Sequence, residues 1–228
     1  MNRFLAFVIL LFCFQSCKTG KLDADLSDLG TDFYPVEKGI FSVYDVNVTE
    51  FLSSGPQHRF YQVKELIKDT LHLSGEVIYR LERFYRNDSL REWKLQPDSV
   101  WTLRKNAYNV LRTENNIRFL RLAFPVREGK TWDGNAHNIF SKEEYRIRKL
   151  GRSFSTGAKH YPQTLHVLHS GDSSLLGKDY REEVFAKDVG LVYKVTEKIE
   201  YRNVGGVVGT DTTGGILYYQ KLREYGKE

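Results

Sequence analysis

From residue 40 onward apolar and polar side chains alternate along most of the chain. The clearest run covers 191–201, where Leu191, Tyr193, Val195, Ile199 and Tyr201 are separated by Val192, Lys194, Thr196, Lys198 and Glu200. A period of two over that length predicts a strand with one face against a core. Stretches rich in β-branched and aromatic residues recur at 40–49, 59–68, 76–86, 99–105, 109–114, 117–124, 143–150, 164–169, 182–187 and 215–223. Asn87-Asp88, Asn106, Asn115-Asn116, Gly129 and Gly171-Asp172 fall between them and supply turn chemistry. Short strands separated by turn residues predict hairpins and meanders rather than βαβ units.

Arg146 and Arg148 alternate with Tyr145 and Ile147, and Arg118 adjoins Phe119, so one face of the sheet is expected to be buried and the other solvated. The expected fold is all-β, one antiparallel sheet curled into an open barrel or half-barrel. A two-sheet β-sandwich is the alternative, because alternation does not say what closes over the buried face. Fourteen Tyr and fourteen Phe against one Met fit a core of strand-compatible rings with hydroxyls at its wet edge. With 228 residues, 41% of them hydrophobic, such a core needs neither disulfides nor a structural metal.

The N-terminus breaks the pattern. Met1-Asn2-Arg3 precedes an unbroken apolar run from Phe4 to Phe14, closed by Gln15, Ser16 and Cys17. This is the layout of a signal peptide. As a helix the run spans roughly 16 Å against a hydrocarbon core of about 30 Å, too short for a comfortable membrane span. Leu11-Phe12-Cys13-Phe14-Gln15-Ser16-Cys17 resembles a bacterial lipobox, with Ser16 as the small residue before the cysteine and Phe14 in the usual Leu position. Cys13 fits less well because Phe12 precedes it. The resemblance implies removal of 1–16, acylation of Cys17 and attachment by two or three acyl chains, enough for a stable anchor. Loss of Cys13 would leave no free thiol and no intrachain disulfide in the mature chain.

Lys18 stands where Asp would retain many enteric lipoproteins in the inner membrane, which favours the outer membrane. Lys18-Thr19-Gly20-Lys21 replaces the acidic run of some surface-exported lipoproteins, which favours the periplasmic face. The expected division is a signal peptide over 1–16, a flexible tether over 17–31 and one antiparallel β domain over 32–228. Phe33-Tyr34-Pro35-Val36-Glu37-Lys38-Gly39 and the following Ile40-Phe41-Ser42-Val43-Tyr44 resemble the opening of a group of bacterial lipoproteins, in which Tyr/Phe-Pro-Leu-x-x-Gly leads into Trp-x-Tyr; Phe41 holds the Trp position. Phe124-Pro125-Val126 with Gly129-Lys130-Thr131-Trp132, and 185–192, are similar to later pieces of that group. The resemblance implies a lipoprotein with a β fold and transfers no catalytic residue.

Candidate chemistry is sparse. The histidines are His58, His72, His137, His160, His166 and His169. On a regular strand His166 and His169 face opposite ways, and no cysteine is left to complete a site, so no metal and no cofactor is expected. Glu143-Glu144 and Glu182-Glu183 are adjacent pairs whose side chains diverge on a strand, unlike the converging carboxyls of a glycosidase. His169-Ser170-Gly171-Asp172 reads as a turn, and no Gly-x-Ser-x-Gly elbow is present. The glycine-rich run 205–215 lacks the Lys of a phosphate loop; it is expected to form a hairpin tip, with Gly206, Gly209 and Gly214 in a partner-docking loop.

Asp-Ser/Thr steps place Thr70, Ser89, Ser99 and Thr212 in settings that resemble O-glycan acceptors of exported bacterial proteins, although turn chemistry accounts for the same pairs. The net charge of +5 is interspersed with acids and forms no basic block with aromatics, which argues against nucleic acid. The function expected is a non-catalytic, lipid-anchored envelope module that binds an envelope protein partner or an apolar ligand. The alternative is an envelope hydrolase whose acidic and histidine residues converge only in the fold.

Overall fold

Alternating strands bury their apolar face either against a second layer or by curling. In the computed structural model, which describes residues 26–73, 75–204 and 207–228, they curl. Twelve strands form one sheet: β1 (Ile40–Leu52), β2 (Gly55–Leu73), β3 (Glu76–Arg86), β4 (Lys94–Lys105), β5 (Asn109–Glu114), β6 (Ile117–Ala123), β7 (Thr131–Asp133), β8 (Glu144–Thr156), β9 (Lys159–Ser173), β10 (Gly177–Ala186), β11 (Gly190–Val204) and β12 (Val207–Lys227). Their order is β6-β5-β4-β3-β2-β1-β12-β11-β10-β9-β8-β7, antiparallel throughout. The sheet is nearly closed into a barrel with an unsealed seam, and the described residues form no second sheet.

The seam lies between the edge strands β6 and β7. It is bridged by the Leu120 N–H donating to the Gly134 carbonyl at 2.9 Å, and by the Trp132 indole and the Asn138 amide donating to the Leu120 and Arg118 carbonyls, each at 3.0 Å. Exposed edge strands invite pairing with other chains, and these side-chain bridges cap the edges here.

Ten strand pairs join neighbours in sequence, so each turn alternates between the two ends of the barrel. The eleventh, β1 with β12, stitches the first and last strands in register from Ile40↔Lys227 to Phe51↔Gly215. The near end therefore carries the start of the body, the C-terminus and the turns at 73–76, 106–108, 124–130, 157–158 and 187–189. The far end carries 52–55, 87–93, 115–116, 134–143 and 174–176.

The segment before β1 closes the near end. Leu26–Leu29 and Thr31–Phe33 are single 3₁₀ turns. The Val126 N–H donates to the Leu29 carbonyl at 2.9 Å, Lys187 pairs with Asp32 at 3.2 Å and Lys105 donates to the Tyr34 carbonyl at 2.9 Å. Phe33 is buried with Val110, Leu122, Phe124, Ile147, Leu165 and Phe185. Leu29 and Gly30 thus fit against Val126 at this end.

The strands read from alternation correspond to eleven of these twelve, most extended by several residues. The missing one is β7, whose three residues are too few to show a period.

Candidate functional site

Directly paired residues of antiparallel strands share a face. One such row, Ile147↔Val167↔Glu183↔Lys194↔Gln220↔Val46↔Tyr61, crosses β8, β9, β10, β11, β12, β1 and β2 on the lumen side. Its centre is charged. Arg121, on β6 at the sheet edge, reaches across the interior to form an ion pair with Glu183. Lys194 Nζ lies 3.2 Å from the same carboxylate and His169 Nε2 3.6 Å from it. A second centre is Glu65, which accepts from Arg112 at 2.7 and 3.3 Å and pairs with Arg83 at 3.2 Å. The guanidinium groups of Arg83 and Arg112 lie 4.0 and 4.4 Å from the Trp101 ring.

Two bulges aim these side chains. Arg121 is skipped in the β5–β6 ladder, so both Arg121 and Leu122 turn into the lumen and are buried. His169 is skipped between Leu168 and Ser170 opposite β10. Its imidazole lies flat against the Tyr145 ring. Bulges add a residue to one strand and redirect the side chain, which is how strict alternation fails at these positions.

The electrostatics follow from burial and charge. Burial alone would raise the Glu183 carboxyl, but Arg121, then Lys194, outweigh it and hold the group well below the usual carboxylate range. Glu65 is likewise held low by Arg112 and Arg83 against its burial. Burial lowers His169 to about 3 against the attraction of Glu183, with Arg121 and Lys194 adding repulsion. At neutral pH the lumen therefore holds ionised carboxylates, their cations and a neutral imidazole.

Glu183 with His169 is one of two buried acid–histidine approaches among the described residues, the other being Glu182 with His166, and its side chains are 2% and 8% exposed. The cavity beside Tyr34, Tyr44, Glu65 and Arg112 measures about 50 Å³, room for a few water molecules. No group of three or more His, Cys, Asp or Glu side chains able to hold a metal ion occurs among the described residues.

Glu182 faces the other way from Glu183, as adjacent strand residues do. It accepts from Tyr180 at 2.8 Å, pairs with Arg148 at 2.8 Å and lies 3.4 Å from His166, which packs edge-on to Phe154. Thus His166 and His169 occupy opposite faces. Glu143 joins Arg181 and Glu144 joins Arg146. His58, His72, His137 and His160 are exposed; His58 bonds Thr49 and His160 bonds Ser155.

Ligand-sized grooves open at both ends, one of about 600 Å³ beside Tyr161, Pro162 and Val189 at the near end and a larger one at the far end. An open groove of about 880 Å³ is lined by Phe60, Tyr61, Arg83, Tyr85, Gln96 and Tyr218 among others. It combines ring faces with amide and guanidinium groups. Phe60 is 48% exposed although it carries a full aromatic ring, and Tyr218 donates to Gln220 at 2.6 Å. Periodicity marks each of these residues only as strand, since the groove is assembled from β2, β3, β4 and β12.

The remaining sequence candidates are scattered. Ser89 is exposed in the β3–β4 connection, where Asp88 accepts the Leu90 N–H at 2.8 Å in an Asx turn. Thr70 is half-buried on β2, its N–H bonded to Asp69, and Thr212 is half-buried on β12 opposite Tyr201. Ser99 lies within β4. Gly209 and Gly214 lie inside β12, which begins at Val207, so most of the glycine-rich run pairs as strand; Gly206 and Cys17 lie outside the described residues.

No protein-family model matches the chain, and no curated protein does. Two solved structures are similar. One, from Bacteroides fragilis and provisionally described as an exported protein with a YmcC-like fold, is 12% identical with a TM-score of 0.43, over 86% of this chain and 99% of that one. The other, from Parabacteroides distasonis and provisionally described as a lipoprotein, is 13% identical with a TM-score of 0.37, over 85% of this chain and 98% of that one.

Proposed function

We propose that this chain is a lipid-anchored protein of the bacterial cell envelope, acylated at Cys17, and that its β body is a non-catalytic binding or assembly module. The lipobox-like Leu11–Cys17 segment supports the anchor. Lys18 in place of Asp supports the outer membrane, facing the periplasm. The observation that carries the binding role is the filling of the lumen by Glu183 with Arg121 and Lys194 and by Glu65 with Arg112 and Arg83. With about 50 Å³ of space beside Glu65 and Arg112, recognition is assigned to the far-end groove of Phe60, Tyr61, Tyr85 and Tyr218. Aromatic faces beside amide and guanidinium donors suit a partially polar partner surface better than an alkyl chain. Thr70, Ser89, Ser99 and Thr212 are glycan acceptors in the same proposal, with Ser89 the most accessible of those whose side chains are described.

The test is expression of the full chain in a Gram-negative host with an alkyne analogue of palmitate. The wild type incorporates the label and cofractionates with outer membranes; Cys17→Ser does neither. Detergent pull-down of the labelled protein recovers a binding partner that a Phe60→Ser/Tyr85→Ser double variant loses without a change in melting temperature. An unlabelled wild type with residues 1–16 intact overturns the anchor. A pull-down unaffected by the double variant overturns the groove.

A further inference from the structure

The near end of the barrel is uneven, and its unevenness lies where the anchor attaches. We infer that the β2–β3 hairpin tip and the adjoining β4–β5 turn form a membrane-contact surface that rests in the headgroup layer of the bilayer holding the lipid anchor. This rests on the lipid-anchor reading.

Three observations converge. The first is geometric: β1 pairs with β2 only as far as Phe41↔Leu66, whereas β2 and β3 continue to pair to Leu73↔Glu76. At about 3.3 Å per residue the hairpin projects roughly 20 Å past the start of β1. The second is chemical. Leu71 and Leu73 are 55% and 61% exposed on the same face of that projection, and Tyr108 in the neighbouring turn is 76% exposed. The two turns adjoin, since Arg104 pairs with Glu76 across them at 2.7 Å. Leucines beside a tyrosine are the residues that partition to a membrane interface.

The third is where the chain leaves the body. Leu29 is held by Val126 at this same end, and eight residues separate Leu26 from Cys17. Fully extended they reach at most about 30 Å, so an acylated Cys17 keeps this end, and not the far one, at the bilayer. Arg127 and Lys130 flank the exit. Arg127 is exposed, and neither side chain is ion-paired among the described residues; Lys130 donates to the Pro125 carbonyl at 3.0 Å. With exposed Lys68 at the root of the hairpin they favour anionic headgroups.

The test uses the mature lipidated protein in vesicles of phosphatidylethanolamine and phosphatidylglycerol, with acylation confirmed by mass. The mature chain has no other free thiol, so Leu73→Cys, Tyr108→Cys and, at the far end, Leu175→Cys each give a single site for an environment-sensitive fluorophore. Labels at 73 and 108 are expected to be quenched by lipid-borne nitroxide and shielded from aqueous iodide, while the label at 175 shows the reverse. Acylated, vesicle-bound protein whose labels at 73 and 108 behave like that at 175 overturns this inference alone. Protein without acyl chains that stays off the vesicles overturns the anchor reading and this inference with it.

Discussion

The Tyr145 ring lies parallel to the His169 imidazole, centroids 3.8 Å apart and planes 10° from each other, so the imidazole is sealed between an aromatic face and the Glu183 carboxylate. Tyr145 is itself pressed by the backbone: a Cβ on Gly134 would lie 2.4–2.7 Å from three atoms of its ring. The seam, the stack and the lumenal ion pair are therefore one mechanical unit.

That contact predicts the effect of Gly134→Ala. The ring cannot yield without leaving the imidazole, so overpacking should cost about 1–3 kcal/mol. A chemical-denaturation midpoint measured against a Gly129→Ala control, where a Cβ meets nothing within 4 Å but φ is +83°, separates the clash from simple backbone strain.

Stability should fall on acidification in two stages. His169 has an ordinary value near 6.5 when unfolded and is lowered by burial to about 3 when folded. Between those values the unfolded chain holds a proton that the folded chain does not, so stability present above about pH 6.5 is lost by about 1.4 kcal/mol per pH unit as pH falls. Glu183, held low chiefly by Arg121, adds a second loss below about pH 4.5. Urea titrations across this range check both. His169→Phe, which keeps the stack on Tyr145, should abolish the first stage and leave the second.

Removing Arg121 strands a carboxylate that is 2% exposed. Arg121→Met should therefore cost about 3–5 kcal/mol, and adding Glu183→Leu should restore much of it, because two apolar groups need no compensation. A double-mutant cycle reads the coupling; additive losses would mean that Lys194 alone suffices to neutralise Glu183.

The seam should open before the rest. Leu120 gives its N–H to Gly134 across β6 and β7, whereas Val46 sits between two full ladders. Hydrogen exchange should be fastest at Leu120 relative to Val46 and Val167, and Trp132→Phe, which deletes the indole donor to Leu120, should widen the gap by about 1 kcal/mol.

The sheet was legible because most strands keep a period of two long enough to be seen, Tyr145 and Ile147 inward and Arg146 and Arg148 outward. The lumen was not. Lys194 reads as part of a solvated face, yet its pairing with Glu183 turns it inward, and the apparent apolar partners Tyr193 and Val195 occupy the opposite face, where Tyr193 packs on Phe154. Arg121 and His169 sit at bulges, which leave no mark in composition. The divergence of Glu182 from Glu183 did follow from strand geometry, since no register shift falls between them, and His166 and His169 keep opposite faces because the β9 bulge begins only at His169.

The strand order β6 to β1, then β12 to β7, divides the molecule into two six-stranded meanders sharing one central ladder. The middle of the polypeptide, at 124–130, crosses the weakest joint, while its two extremities are sewn together by Glu228 donating to the Gly39 carbonyl at 2.9 Å. During folding the leading strand must wait for the trailing one before its outer edge is covered. A proteolytic nick within 124–130 would accordingly yield complementary halves that remain clasped through β1 and β12, each bringing one member of the Arg121–Glu183 pair.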